Sequence, residues 1–278
     1  MRPTQLSVTE IETWLADPYA IYARRILRLE KLDPLEQATD QADYGTVVHN
    51  GIARLLNRVG ATWPDDAAAQ LHETMQASLL DHNFRPALAA WWRPRLKLIA
   101  DWIDATERTR RRQLGVVEVL AECKGAIDLR IGRGFRLTGR ADRIERRADG
   151  TLSVLDYKTG AAPNPKEVVD GYRPQLTLEA AMLARGGFGA DWQGDTGELA
   201  YWKLAGAREP GKVVAPFKSL GEITQAAADA LAALCRRVEQ FETLDTPYLA
   251  QPHPDFKPRF PDYAQLARVA EWARGEDE

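Results

Sequence analysis

Behind Ser7-Val8-Thr9-Glu10, apolar side chains recur at helical spacing as Ile11, Trp14 and Leu15. Ser7 is an N-cap hydroxyl and Glu10, three positions on, reaches back to it, the pairing that starts a helix. The same 3.6-residue period predicts helices over 8–29, 44–58, 65–82 and 87–113, the last with Trp91, Leu98 and Trp102 on its core side. After residue 115 the period falls to two. β-branched segments separated by glycines predict strands at 116–123, 125–131, 135–146 and 151–158. Helical spacing returns over 165–185, a strand with Leu199, Tyr201 and Trp202 is expected at 197–204, and an alanine-rich helix at 221–243. Pro252 to Pro261 reads as a proline-punctuated connector, and Leu266, Val269 and Ala270 are spaced for a short amphipathic helix. The chain shows no internal repeat and no low-complexity linker. The order of elements predicts an α/β protein, a mixed central sheet flanked by helices with helical N-terminal and C-terminal elements.

Two of the predicted strands carry the chemistry. Gly139-Arg140-Ala141-Asp142-Arg143-Ile144-Glu145 and Leu152-Ser153-Val154-Leu155-Asp156-Tyr157-Lys158-Thr159-Gly160 are joined through Asp149-Gly150, a strong hairpin signal. If the loop is the three residues Ala148 to Gly150, Asp142 lies directly across from Asp156; a two-residue loop offsets them by one. Like charges facing across a ladder are destabilising, and a bound cation neutralises such a pair. Lys158 follows Asp156 by two and shares its face of the sheet. Hydrolysis of a phosphodiester needs a divalent cation on the phosphoryl oxygen, a more acidic water and a positive group near the developing charge. Asp142 and Asp156 are the hard oxygen donors that magnesium or manganese prefers. Lys158 is placed to orient or deprotonate the water. Taken alone, an Asp-x-Lys on an exposed strand is more often a solvated face, and it is the paired acid that argues for a site.

With these residues in view, the chain resembles the PD-(D/E)XK nuclease superfamily, and Gly-Arg-x-Asp-Arg-Ile with Asp-Tyr-Lys-Thr-Gly resembles its RecB and AddB branch. The resemblance implies a restriction-endonuclease-like core and a site of Asp142, Asp156 and Lys158. It further implies His49, in Tyr44-Gly45-Thr46-Val47-Val48-His49, and the backbone carbonyl of Tyr157 as metal ligands. Gln175, in Gly171-Tyr172-Arg173-Pro174-Gln175, matches a glutamine that contacts DNA or supports the site, and Tyr172 beside it joins the DNA-binding or supporting candidates. Glu179 stands where the branch has a tyrosine. Arg140 and Arg143 flank Asp142, and one of them is expected near phosphate. Ser-x-Thr-x-Ile-Glu and Asp17-Pro18-Tyr19 resemble the start of AddB nuclease domains. Many relatives have a cysteine at Asp17 and three more near the C-terminus, which hold an iron-sulfur cluster. This chain has only Cys123 and Cys235, at neither place, so no four-thiolate iron-sulfur cluster forms within it. It looks like the cluster-free, alphaproteobacterial form, in which packing joins the two ends. The resemblance implies one nuclease domain over 6–273: a helical segment at 6–113, the catalytic sheet with its helices at 114–250, and a connector and helix at 251–273.

Composition narrows the rest. At 278 residues and 45% hydrophobic the chain can bury a sizeable core. It contains no signal peptide and no apolar run long enough for a membrane span, and two cysteines suit the reducing cytoplasm. The net charge of −3 makes any DNA path local. Basic candidates are Arg24, Arg25 and Arg28, and a group of Arg108, Arg110, Arg111 and Arg112 that reads as helix capping or as phosphate contact. No Gly-x-x-x-x-Gly-Lys-Ser/Thr phosphate loop is present, so no ATP site is expected in this chain. The resemblance therefore implies a magnesium-dependent deoxyribonuclease, with manganese as a substitute, that acts in double-strand break repair beside an AddB helicase-like region and an AddA-type helicase-nuclease subunit. The methionine so near the nuclease motif suggests an isolated domain or a stand-alone relative. A non-catalytic DNA-end-binding or scaffold module is the alternative, and the presence of His49, Asp142, Asp156 and Lys158 favours catalysis.

Overall fold

The structure, a computed structural model of the chain, describes residues 2–30, 41–82, 84, 86–253, 256, 258 and 261–272. Pro254, Asp255, Lys257, Arg259 and Phe260 of the expected connector, and residue 273 at the end of the expected domain, lie outside the described residues. A short strand β1 (Gln5–Ser7) leads into α1 (Val8–Ala16), where Ser7 and Glu10 make both hydrogen bonds of the capping box. The single helix expected over 8–29 is broken at Asp17-Pro18. Pro18 has no N–H to continue the ladder, and the Asp17 carboxylate caps a new short helix, α2 (Pro18–Ile21), which passes into a π turn at 22–26.

Three long helices follow, α3 (Gln41–Val59), α4 (Ala67–Asp81) and α5 (Pro86–Leu114), close to their expected bounds. On α5 the buried face is Trp92, Leu96, Ile99 and Ile103. Trp91 and Leu98, expected in the core, are exposed, and only Trp102 of that trio packs inward, edge-on to Trp202. Tandem Trp91-Trp92 offers two apolar stripes one position apart, and Trp92 is the one that turns inward, against Tyr44 of α3 and Phe84.

The sheet comprises β2 (Val116–Leu129), β3 (Phe135–Arg147), β4 (Leu152–Lys158), β5 (Thr196–Leu204) and β6 (Gly211–Val214) together with β1. The two strands expected at 116–123 and 125–131 are one continuous strand. Gly125 does not break it but admits Phe188: a Cβ there would lie 2.6 Å from Phe188 Cδ1 and 2.7 Å from the Gly187 carbonyl. Strand β3 is antiparallel to β2 along its length; its other edge carries β1, parallel, at Arg136 to Thr138 and β4, antiparallel, at Arg143 to Arg146. Strands β4 and β5 are parallel, and β6, absent from the sequence expectation, closes the order antiparallel to β5. Between β4 and β5 the helical stretch expected over 165–185 comprises two helices, α6 (Pro165–Val169) and α7 (Gln175–Ala184), parted by Gly171 at φ 80° and by Pro174. The chain ends with α8 (Leu220–Glu242) and the short α9 (Val269–Trp272).

Alternation along the central strands feeds two cores. Ile144, Val154, Leu199 and Tyr201 pack with α1, α7 and α8, whereas Leu155, Tyr157, Ala200 and Trp202 pack with α3, α4 and α5. The N-terminal and C-terminal parts of the described chain meet through packing and hydrogen bonds: Tyr19 N–H bonds the Leu249 carbonyl, Tyr263 Oη bonds the Leu29 carbonyl, and Trp14 lies edge-on to Phe241.

Of the arginine group on α5, Arg110 and Arg111 are taken up by acids, and Arg111 also donates to the Gly60 and Ala61 carbonyls after α3. Arg110 is buried and pairs with Glu145 and Glu198, and Arg111 pairs with Glu107. Arg143, offered above for phosphate, is 1% exposed, held at 2.5 Å by Glu107 and also paired with Glu145. It projects from the strand face opposite Asp142, so it supports the sheet from behind rather than facing a ligand. Deleting one partner of such a buried group leaves a desolvated charge. Glu107→Ala should therefore lower stability by about 3–5 kcal/mol in urea unfolding, whereas Glu118→Ala, which removes the exposed Arg146–Glu118 pair, should cost less than about 1 kcal/mol.

Candidate active site

The hairpin turns through a three-residue loop, with Gly150 at φ 83° in the left-handed region that such a loop requires at its last position. Arg143 then pairs with Leu155 and Ile144 with Val154, which puts Asp142 opposite Asp156. Backbone pairing of β3 and β4 stops at Arg143–Leu155. Beyond it the Tyr157 N–H is received by Asp142 Oδ2 at 2.8 Å, a side chain in the place of a ladder carbonyl. On the other edge of β3, Glu122 falls between the pairs Ala121–Arg143 and Cys123–Ala141 and so also lies opposite Asp142. It has φ 54°, a local twist that leaves the register unchanged. Three neighbouring strands thus present acids at one level.

His49 reaches this row from α3. Gly45, one turn earlier, lets the helix lie against the end of β4: a Cβ there would stand 3.1 Å from Thr159 Oγ1. The imidazole Nε2 then sits 2.9 Å from the Tyr157 carbonyl, and Nδ1 sits 3.4 Å from Asp142 Oδ1 and 3.9 Å from Glu122 Oε1. Donor atoms of His49, Glu122 and Asp142 all lie within 4.8 Å of one another, a spacing that fits one divalent cation.

Asp156 is 2% exposed. Lys158 Nζ lies 3.0 Å from its Oδ1 and 2.7 Å from its Oδ2, and Gln175 Nε2 donates to Oδ1 at 2.6 Å. Gln175 also accepts from Lys158 at 3.3 Å, so its amide bridges acid and ammonium. Proline at 174 and the Glu12 carboxylate, which accepts the Gln175 N–H at 3.3 Å, set the start of α7 here. Glu179, one turn on, is 1% exposed, with Oε1 3.5 Å from Gln175 Nε2 and Oε2 without a protein partner.

The electrostatics follow from burial and crowding. For Asp142, burial works to raise the pKa, yet the hydrogen bond and charge of His49 hold it below the ordinary value. Asp156 is pushed up by burial, against Lys158, and by the charge of Asp142. Burial opposes the charged form of Lys158, but Asp156 and Asp142 outweigh it and keep the ammonium protonated. His49 is raised likewise, burial being overcome by Asp142, Asp156 and Glu122. Glu179 is raised well above the usual range by burial and by both aspartates, which favours its neutral form.

Of the expected site residues, His49, Asp142, Asp156, Tyr157, Lys158 and Gln175 converge. Arg140 lies beside them, its Nε 2.6 Å from Glu122 Oε2, and Arg143 does not face the site. Tyr172 stands apart, packed on Phe256. Glu122 and Glu12 were missed. Glu122 sits in a strand without a motif of its own, and only its register with Asp142 marks it; Glu12 reads as an ordinary helix residue until α1 is set against α7.

A family model described as the PD-(D/E)XK nuclease superfamily matches residues 5–260. Uncharacterized proteins of Rickettsia bellii and Rickettsia conorii are 31% and 32% identical over 189 and 193 residues, which is 67% of this chain and 22% and 23% of those proteins. An ATP-dependent helicase/deoxyribonuclease subunit of Streptococcus agalactiae is 25% identical over 185 residues, 66% of this chain and 17% of that protein. The chain spans less than a quarter of the length of these curated relatives.

The upward shift of Glu179 has a measurable consequence. Its folded pKa lies above the ordinary 4.5, so its contribution to stability is complete below that value and is lost as pH rises through the folded pKa. Glu179→Gln keeps the shape without an ionisable proton. In chelator, thermal unfolding should show the variant gaining on the wild type as pH rises, with the difference vanishing toward about pH 4; equal pH profiles would show that Glu179 is ordinary.

Proposed function

The chain belongs to the PD-(D/E)XK nuclease superfamily, and we propose that it is a divalent-cation-dependent DNA nuclease of the AddB type. The observation that supports this most is the meeting of Asp142, Asp156 and Lys158 with His49 where β3 and β4 part. The donor set of carboxylates, imidazole and a peptide carbonyl suits magnesium or manganese. Asp142, Asp156, His49 and the Tyr157 carbonyl would hold the cation, which would neutralise phosphoryl charge and make a neighbouring water more acidic.

The remaining work falls to the chain's own groups. The Lys158 ammonium stays charged beside Asp156, so it orients the attacking water and stabilises the charge that develops on phosphate, rather than accepting a proton. Gln175 sets the distance between them by bonding both. Arg140, whose side chain is 58% exposed at the rim, is the candidate for a backbone phosphate. Among the described residues no helix is long and apolar enough to cross a membrane, in keeping with cytoplasmic DNA as substrate. The helicase/deoxyribonuclease relative of Streptococcus agalactiae favours a helicase partner for this domain, with end resection in break repair as the role and exonucleolytic cutting as the mode.

Purified chain with manganese or magnesium should degrade end-labelled linear DNA and spare closed circles, and chelation should stop it. Asp156→Asn and Lys158→Ala should each reduce the rate at least about a hundredfold with unchanged circular dichroism. Full activity in both variants would overturn the assignment.

A further inference from the structure

The acids of the site do not end with Asp142 and Asp156; Glu122 continues the row across a third strand. We propose that Glu122 is a direct ligand of the divalent cation, forming with His49 and Asp142 a binding set on the β2 side of Asp142. This deepens, and rests on, the cation-dependent reading of the site.

Each of the three side chains is tied by one atom and leaves the other free toward the same point. Asp142 Oδ2 accepts the Tyr157 N–H, so Oδ1 is turned to His49. His49 Nε2 lies on the Tyr157 carbonyl, which can only accept. Nε2 therefore carries a proton, and Nδ1, which faces Asp142 Oδ1 at 3.4 Å, is the ring atom that can ligate a cation when the ring is neutral. Glu122 Oε2 is held at 2.6 Å by the Arg140 guanidinium, and Oε1 is the atom that faces Nδ1.

The three ligand atoms lie within 4.8 Å of one another, each anchored from behind, close enough to share one ion. A small divalent cation is the ligand that satisfies all three at once, and the anchoring bonds are those that hold first ligands at a prescribed angle. Asp156 differs in that Lys158 and Gln175 both engage its Oδ1, whereas Asp142 and Glu122 each turn one oxygen toward His49. Arg140 then has two connected tasks, aiming Glu122 and standing at the rim where phosphate arrives.

Manganese titration followed by electron paramagnetic resonance, without DNA, tests the assignment on the whole chain. Glu122→Gln should weaken manganese binding about tenfold or more, while Glu118→Gln, on the same strand but paired with Arg146, should titrate like the wild type. Wild-type affinity in Glu122→Gln would reduce Glu122 to the ion-pair partner of Arg140 and overturn the proposal. DNA cleavage measured in parallel separates the two readings. Manganese binding that depends on Glu122 in a chain that cuts no DNA keeps this inference and removes the nuclease; a cutting wild type whose Glu122→Gln variant binds and cuts equally removes this inference alone. Should the variant not fold, manganese-soaked crystals of the wild type decide. An anomalous peak within about 2.2 Å of Glu122 Oε1 supports the ligand, and a peak out of its reach, with Glu122 still on Arg140, overturns it.

Discussion

One peptide group, that of Tyr157, joins the parts of this site. Its N–H holds Asp142 at 2.8 Å and its carbonyl meets His49 at 2.9 Å, so a rigid planar unit sets the relation between an acid on β3 and an imidazole 108 residues earlier in the chain. The Tyr157 side chain is buried on the opposite face of the sheet, with Arg143 Nη1 3.4 Å from its hydroxyl and the Trp202 ring at its edge. Arg143 is fixed in turn by Glu107 from α5 and by Glu145. The charged cluster beneath the sheet thus reaches the site through Tyr157, and displacement of α5 would be felt at Asp142 and His49.

The sheet leaves room for this. The edge of β3 that carries β1 at one end and β4 at the other has no strand partner among the described residues from Gly139 to Asp142, and Asp142 sits at the end of that gap. A fully zipped ladder would direct the Tyr157 N–H to a backbone carbonyl and leave the Asp142 carboxylate without this bond. Parting the strands costs ladder hydrogen bonds, and the Asp142 carboxylate makes good one of them with a charge-assisted bond.

Charge is the second constraint. At about 4 Å and an effective dielectric near 20, two like charges repel by about 4 kcal/mol, and this site gathers Glu122, Asp142 and Asp156 on adjacent strands. Lys158 and Arg140 offset two of the acids. Burial and the two aspartates press Glu179 toward its neutral form. On the function proposed above, a polyanionic substrate would worsen the balance, and a divalent cation would offset it.

Local pattern determined the elements with strong signals. The capping box at Ser7, the long helices, the Asp149-Gly150 hairpin and the shared face of Asp156 and Lys158 all depend on near neighbours, where spacing along the chain equals spacing in space. The same short range explains why a motif could nominate Asp142, Asp156 and Lys158. What needed the tertiary structure was every choice made by a distant partner: which tryptophan of Trp91-Trp92 turns inward, whether Gly125 ends a strand or receives Phe188, and whether Arg143 meets phosphate or Glu107. Glu122 belongs with these. No residue near it in sequence distinguishes it from any other strand glutamate, and it enters the site only because antiparallel pairing of β2 with β3 sets it level with Asp142.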